Sequence, residues 1–492
     1  MPNLVLIGAG DSLASLCAAV DAVAGHPKPV GCVLLRGEPA DVPKARILGT
    51  LDDLPRLKIR HELDTALVCF PSFMTGAAER TREACRALGI EVRETPFVGD
   101  ALCCKPPASA GDPLALIGRR PRLADVRRLD AVLKGKRVLI TGAGGSIGSE
   151  LARLAASRDP EQLVLMERSE NALFEIDQEI GARFPKVDRR AVMHDVVDAE
   201  GTLRIFQETR PHSIYHAAAH KHVPMMEDHP AHAVNNNLFG AKAAADAAIQ
   251  VGAERFVLVS TDKAVNPSSV MGATKRLAEQ YVRGMGQLGG TRYCMVRFGN
   301  VLGSSGSVLT VWRRQIRAGG PVTVTHPEMT RYFMTIPEAA SLVAQASALE
   351  PREAGGADVF VLDMGEPVRI LDLAVRTIEA QGLSAARPGE EGAPGSIPIT
   401  ITGIRPGEKL TEELAHDAER LMATPVPGIL AWRSWPPAAV ELHAMTLDMA
   451  SVRFDPTAEK VLEALRRWTP SLRPAETPEV VVRDLAARVC QI

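Results

Sequence analysis

Residues 136–157 constrain the fold more than any other stretch of the chain. Val138-Leu139-Ile140 is an aliphatic run of the kind buried on both faces of a parallel sheet. It leads straight into Thr141-Gly142-Ala143-Gly144-Gly145-Ser146-Ile147-Gly148, and Ser149 to Ser157 reads as helix. Gly142, Gly145 and Gly148 allow a tight turn, close backbone approach to a pyrophosphate, and close helix–sheet packing. Ser146 and Ile147 open the helix, whose free N–H groups and positive dipole end suit phosphates. A lone glycine triplet is weak evidence. Here the next strand ends Leu165-Met166-Glu167, an acid about 20 residues past the loop, where ribose hydroxyls are held. The combination predicts a dinucleotide site. Glu167 repels a 2′-phosphate and favours NAD; Arg168 beside it attracts one and keeps NADP open. Asp195, at the next strand end, is placed either to reach the adenine or to cap a turn.

Further strands are expected at Leu163–Met166, Ala191–Met193, Ser213–His216, Phe256–Val259 and Cys294–Phe298, with helical segments between them. That pattern is α/β: a doubly wound parallel sheet, the Rossmann arrangement. After about residue 300 it becomes less regular, as in a substrate-binding lobe. The catalytic domain is drawn at 135–435. A C-terminal helical extension follows at 436–492, with two amphipathic segments in Pro456–Ile492.

A second, smaller Rossmann-like unit precedes it, at 1–104. Its strands are expected at Leu4–Ile7, Val30–Leu35, Ala66–Phe70 and Glu91–Glu94, and its helices at Ser12–Ala24 and Gly76–Leu88. Gly8 and Gly10 begin a dinucleotide fingerprint, but Leu13 stands where the third glycine belongs. Packing, regulation or assembly is the plainer reading of this unit, with cofactor binding the alternative. Residues 105–134, rich in Pro and Arg, read as a linker ending in a short helix.

Composition excludes several classes. A chain of 492 residues is too long for one core. The formal charge of −2 gives no polyelectrolyte signature, so no nucleic-acid partner is expected. No apolar run approaches the roughly 20 residues that span a bilayer. No basic segment opens a signal peptide, and Asp11 and Asp21 interrupt the first apolar stretch. The eight cysteines are scattered, as free thiols of a cytoplasmic protein would be. His220, Lys221 and His222 are adjacent and lack an acidic partner, so no metal site is expected; they read instead as pocket-lining residues, with Lys221 the best candidate for contact.

The chemistry is concentrated in residues 260–275. An apolar strand, Arg255 to Val259, runs into Ser260, Thr261, Asp262 and Lys263. A hydroxyl–acid–amine row at a strand's end can handle protons, because open parallel sheets place their sites there. Met271 and Lys275 are four apart and share a helix face. Met271 has no ionisable proton, so the chemistry falls to Thr261, Asp262 and Lys263. As a neighbouring pair, Asp262 and Lys263 also fit a solvated surface ion pair.

These motifs resemble the extended short-chain dehydrogenase/reductases, and within them the nucleotide-sugar 4,6-dehydratases of polysaccharide biosynthesis that act on UDP-N-acetylglucosamine. The matching stretches are Ile140–Leu151, His216–Glu227, Val259–Pro267, Val270–Arg276, Arg297–Gly303, His326–Glu338, Leu362–Pro367 and Arg405–Lys409. They cover about residues 135–425 in order. The first unit fits the long form of the family, and the absence of leading membrane helices marks a soluble version. The ordinary reductase pattern is Tyr-x-x-x-Lys. Methionine occurs in the tyrosine's place in the long dehydratases, so Met271 supports that subfamily over a plain epimerase.

The resemblance implies oxidation of the sugar's 4-hydroxyl with hydride transfer to NAD, loss of water across C5–C6, and hydride return to C6. A C5-inverting dehydratase or a 4-epimerase on a UDP-sugar is the alternative, and an NAD-binding regulatory protein without turnover the remote one. Asp262 becomes the acid for the 6-hydroxyl and Lys263 the base for C5. Thr261 relays the 4-hydroxyl proton. Lys275 holds the nicotinamide ribose, and Met271 packs against sugar or nicotinamide. Asn300, Arg331 and Arg405 fall where relatives contact the nucleotide diphosphate, and Glu408 is suited to ribose hydroxyls; an Arg405–Glu408 ion pair is the structural alternative. A UDP-sugar substrate and a homo-oligomer are the partners implied.

Overall fold

The structure is a computed structural model. It describes residues 3–8, 13, 16–17, 20, 29–34, 46–69, 75–94, 122, 125–304, 306–350, 358–390, 392–414, 421–433 and 437–472. The chain forms two compact units, Met1–Ala110 and Gly111–Ile492.

In the first unit, five parallel strands are ordered Ile47–Thr50, Gly31–Leu34, Leu4–Gly8, Thr65–Cys69, Glu91–Glu94. The strand Ile47–Thr50 and the helix Leu54–His61 were not expected from the sequence. Ile47-Leu48-Gly49-Thr50 is too short and too glycine-broken to carry a period. Of the expected helix Ser12–Ala24, only Leu13, Leu16, Cys17 and Val20 are described, and all four are helical. Residues 105–121 lie outside the described set; the helix Val126–Leu133 follows, with Asp125 accepting from Arg127 N at its N-cap.

Among the described residues, the second unit's main sheet has nine strands. Seven are parallel, in the order Val359–Leu362, Arg292–Arg297, Arg255–Val259, Ser213–His216, Arg137–Thr141, Gln162–Glu167, Arg189–Met193. Ile429–Trp432 and Leu421–Ala423 extend one edge antiparallel. The order turns around at Arg137–Thr141, which puts a crevice at that strand's carboxyl end. Side chains alternate across the sheet. Leu139, Ile214, Phe256, Leu258 and Met295 enter one core layer with the helices Gly240–Gln250 and Val270–Gly286. Val138, Ile140, Tyr215, Val257 and Val296 enter the other, with the helices Ser146–Ala156 and Ile336–Ala348. Each buried aliphatic side chain contributes about 1.5–3 kcal/mol, so the sheet's central strands are the rigid part of the unit. Val359–Leu362 and Ile429–Trp432 went unread in the sequence, being short runs isolated among loops.

A separate small core built on Trp312, Ile316, Val322, Leu373 and Ile399 forms the lobe beyond residue 300. Two C-terminal helices are described, Ala439–Val452 and Ala458–Trp468. Only the second falls within the expected 456–492; residues 473–492 lie outside the described set. No helix among the described residues is long and apolar enough to cross a membrane.

Candidate active site

The glycine turn is built from backbone against backbone. Gly142 has φ +67°, and a Cβ there would lie 2.7 Å from the Ala218 nitrogen. A Cβ on Gly148 would run into the Gly142 carbonyl oxygen. Gly144 is a fourth required glycine: its Cβ would lie 2.5 Å from the Ala172 Cβ. Sequence spacing alone treats Gly144 as filler. The helix Ser146–Ala156 starts at this turn with no side-chain cap, so a phosphate can take that place. Thr141, Gly142, Gly145, Glu167, Arg168, Asp195 and Ala218 line an open cleft above it. Glu167 accepts from the Gly144, Arg168 and Ser169 amides at 2.9–3.2 Å. Arg168 donates to Asn236 Oδ1 at 3.3 Å and lies 3.8 Å from Asp195. Asp195 also caps its own turn, accepting from Val197 N at 3.1 Å. Bare backbone, an uncapped helix start and a fixed acid fit a dinucleotide.

The acid–base row sits at the end of the strand Arg255–Val259. Thr261 opens a short 3-10 turn, Asp262–Ala264, and its hydroxyl accepts from Lys263 N. That hydroxyl donates to Asp262 Oδ1 at 2.9 Å, and Lys263 Nζ donates to the same oxygen at 2.9 Å. Asp262 is fully buried, so the pair is not a solvated surface pair. Its Oδ2 has no partner among the described residues, and a Cβ on Gly299 would lie 2.8 Å from it. Lys263 Nζ also donates to Asn300 Oδ1 at 3.2 Å, which places Asn300 beside the acid–base row.

Ser269 caps the helix Val270–Gly286, assisted by Glu227, which accepts from Val270 N at 2.7 Å. Gly272 lets this helix touch the row: a Cβ there would meet the Lys263 carbonyl oxygen. Met271 is buried in the core layer. Lys275 is buried and donates to the Val259 carbonyl at 2.8 Å; burial pushes its ammonium down to about 8. One turn on, Glu279 accepts from Ser260 Oγ and from Arg297, at 2.6–2.7 Å. Burial alone would raise Glu279, but Arg297 holds it at about 2. This closed ion pair anchors the residue before Thr261.

The remaining candidates lie on loops. Lys221 is exposed after the strand Ser213–His216. Arg405 is exposed and pairs with Glu408 at 3.1 Å, the arrangement of the structural alternative. Arg331 is buried, and its guanidinium donates to the Thr330, Lys409 and Leu410 carbonyls. In this structure it braces the 405–413 loop. Sequence reasoning passed over Asn236, Asn237, Glu279 and Glu412. Asn237 accepts from His220 N and donates to Thr274 Oγ1, joining the loop after the strand Ser213–His216 to the Lys275 helix. It lies in a π-helical turn, Val234–Phe239, which the Asn-Asn-Asn run could have flagged.

A parallel sheet with a strand-end crevice, a glycine turn and a buried hydroxyl–acid–amine row defines a nucleotide-binding α/β protein of the dehydrogenase type. The polysaccharide biosynthesis protein family matches residues 138–433, and the chain belongs to it. It is 44% identical over 371 residues to the probable polysaccharide biosynthesis protein EpsC of Bacillus subtilis (strain 168), covering 74% of this chain and 59% of that one. The chain thus spans about three-fifths of that relative's length. It is 30% identical over 286 residues to the UDP-N-acetylglucosamine 4,6-dehydratase (inverting) of Campylobacter jejuni subsp. jejuni serotype O:23/36 (strain 81-176), covering 57% of this chain and 78% of that one. It is equally similar, 30% over 295 residues, to the UDP-glucose 4-epimerase of Rickettsia massiliae (strain Mtu5), covering 58% of this chain and 80% of that one.

Proposed function

We propose that the chain is an NAD-dependent 4,6-dehydratase acting on UDP-N-acetylglucosamine. The observation that carries this reading is the hydrogen-bond chain in which Thr261 Oγ1 and Lys263 Nζ both meet Asp262 Oδ1, with Met271 where a reductase tyrosine would stand. NAD, when bound at the glycine turn, supplies the hydride acceptor for C4 and the donor for C6. Glu167, fixed by three amides, accepts its ribose hydroxyls and favours NAD over NADP.

The protein's own part is to move protons. The 4-hydroxyl gives its proton to Thr261 as Thr261 passes its own to Asp262. Asp262 hands that proton to the 6-hydroxyl, which leaves as water. Lys263 takes the C5 proton and later returns one to C5. The proton lost from O4 departs in the water, so turnover balances without net proton uptake. Asn300 orients the amine. Arg405, Glu408 and Lys221 face the nucleotide and sugar, and Arg331 acts by holding the loop that carries Arg405.

The test is incubation with UDP-N-acetylglucosamine in heavy water without added reductant. The expected product has lost one water and carries deuterium at C5 and the former C4 hydride at C6; its C5 configuration reads inversion. Asp262→Asn should slow both the first oxidation and the loss of water, by on the order of 100- to 10,000-fold, because the amide can neither take the Thr261 proton nor give one to the 6-hydroxyl. Wild-type turnover by that variant, or 4-epimer as the only product, would overturn the reading.

A further inference from the structure

One side chain spans the cofactor cleft. In the sheet, the strand Arg137–Thr141 lies between Gln162–Glu167 and Ser213–His216. The loops after those two flanking strands form opposite lips of the crevice, roughly 10 Å apart across two inter-strand steps. Arg168 stands on one lip, directly after Glu167, and His220 stands on the other. Both line the cleft above the glycine turn. The Arg168 guanidinium reaches across: Nη1 donates to Asn236 Oδ1 at 3.3 Å, and Nη2 donates to His220 Nε2 at 3.4 Å. A guanidinium has no acceptor, so Nε2 supplies the lone pair and the imidazole proton sits on Nδ1. Burial first, and then the Arg168 charge, hold His220 below the usual histidine range, which keeps that lone pair available.

The far lip is fixed. Asn237 accepts from His220 N at 2.8 Å and donates to the His220 carbonyl at 3.1 Å, so that loop is clamped at its main chain. Asn236 is buried and donates to the same Asn237 oxygen at 3.2 Å. The near lip carries the moving part. The Arg168 side chain is 47% exposed, and its carboxylate neighbour Asp195 is 3.8 Å away. An exposed side chain changes rotamer within nanoseconds, far faster than a dinucleotide arrives. Glu167, the acid suited to ribose hydroxyls, adjoins Arg168 and lines the same cleft, so the adenosine end of a dinucleotide belongs between the lips. It passes them only while the bridge is open, and its rate of entry is scaled by that open fraction.

We propose that Arg168 is a latch across the cofactor cleft: its guanidinium fork closes on His220 and Asn236 whether the cleft is empty or filled, and so governs how fast a nicotinamide dinucleotide enters and leaves. Opening the latch is a toll on both directions, so it slows exchange more than it changes affinity. A cofactor that is reduced and reoxidised within one turnover has no need to leave between turnovers, and slow exchange suits it. The proposal rests on the dinucleotide part of the functional reading and not on the sugar chemistry.

The experiment follows NADH on the full chain by stopped-flow fluorescence, with dissociation read by displacement with excess NAD. Arg168→Ala should raise the association and dissociation rate constants together, each by about tenfold or more, because two hydrogen bonds from a charged donor no longer hold the cleft shut. The affinity should move far less than either rate. Arg168→Lys keeps the charge but has no fork to span two acceptors. It should show the same paired rise, which separates a latch from simple attraction of the phosphates. His220→Ala should give a smaller paired rise, since Asn236 still accepts, and His220→Gln, which restores an acceptor, should return toward wild type. Combining Arg168→Ala with His220→Ala should give the rates of Arg168→Ala alone. Wild-type rates in the Arg168 alanine variant, faster dissociation with unchanged association, a lysine variant that behaves as wild type, or additive effects in the combination would each overturn the proposal. A wild-type chain that binds neither NADH nor NAD would sink the dinucleotide reading itself, and the latch with it.

Discussion

The chain contains one strand order twice, and the two copies part company at a single turn of helix. In the second unit the third glycine of the loop, Gly148, lies against the Gly142 carbonyl with no room for a methyl group. In the first unit the corresponding place is held by Leu13, fully buried against Leu6, Cys32 and Cys69. Among the described residues there, Gly8 keeps a close approach, with a Cβ position 2.7 Å from the Cys69 carbonyl oxygen. One unit leaves bare backbone where a pyrophosphate can sit; the other fills the equivalent region with a side chain. Strand order therefore does not distinguish the two copies as nucleotide sites; the packing at the first helix is the difference between them.

The sharpest way to break this comparison is to empty the leucine site. Leu13→Ala should destabilise the first unit by about 2–5 kcal/mol, as large-to-small core changes do. Denaturation and amide exchange at Leu4–Gly8 would measure it. NAD affinity should stay at the wild-type value, and a parallel loss of affinity would show that the first unit takes part in binding. Leu13→Gly restores the third glycine in sequence, yet should create no second NAD site in titration calorimetry, because the strand Gly31–Leu34 ends in no acid like Glu167.

The reciprocal change is smaller. Gly148→Ala forces the turn apart at an overpacking cost of about 1–3 kcal/mol, which should weaken NAD binding roughly 10- to 100-fold. The same substitution should leave amide exchange in the first unit untouched. The smallest effect is on pH dependence. Lys275 is held down to about 8 by burial. Below that value it is charged; as pH rises through it, the cation is lost. The falling limb of kcat/KM should therefore lie near pH 8, in wild type and in Leu13→Ala alike. A limb that moved with Leu13 would couple the two units.

What the sequence disclosed depended on whether a signal was local. The glycine turn, the strand ending at Val259 and the capped Met271–Lys275 helix each lie within a few residues, and their periods are visible in one pass. The short strands Ile47–Thr50, Val359–Leu362 and Ile429–Trp432 form only because a neighbour supplies their hydrogen bonds, and four residues carry no period. Within the site, Thr261, Asp262 and Lys263 could be named from their order alone. Glu412 could not, since its burial follows from tertiary docking of its segment, where Lys409 meets the Val265 carbonyl and Glu413 meets Asn266. Arg331 shows the reverse failure: its motif is legible, but its guanidinium is taken up by backbone carbonyls that no pattern predicts.

Gly272 has a consequence for how such a site can change over time. The lysine helix rests on the Lys263 carbonyl through main chain alone, with no intervening side chain. At this point the approach of the Lys275 helix to the turn that carries Lys263 is therefore set by main chain. A change in the surrounding lobe can alter what the cleft admits while this main-chain contact keeps its distance, which makes one glycine a fixed point in a site whose walls are free to vary.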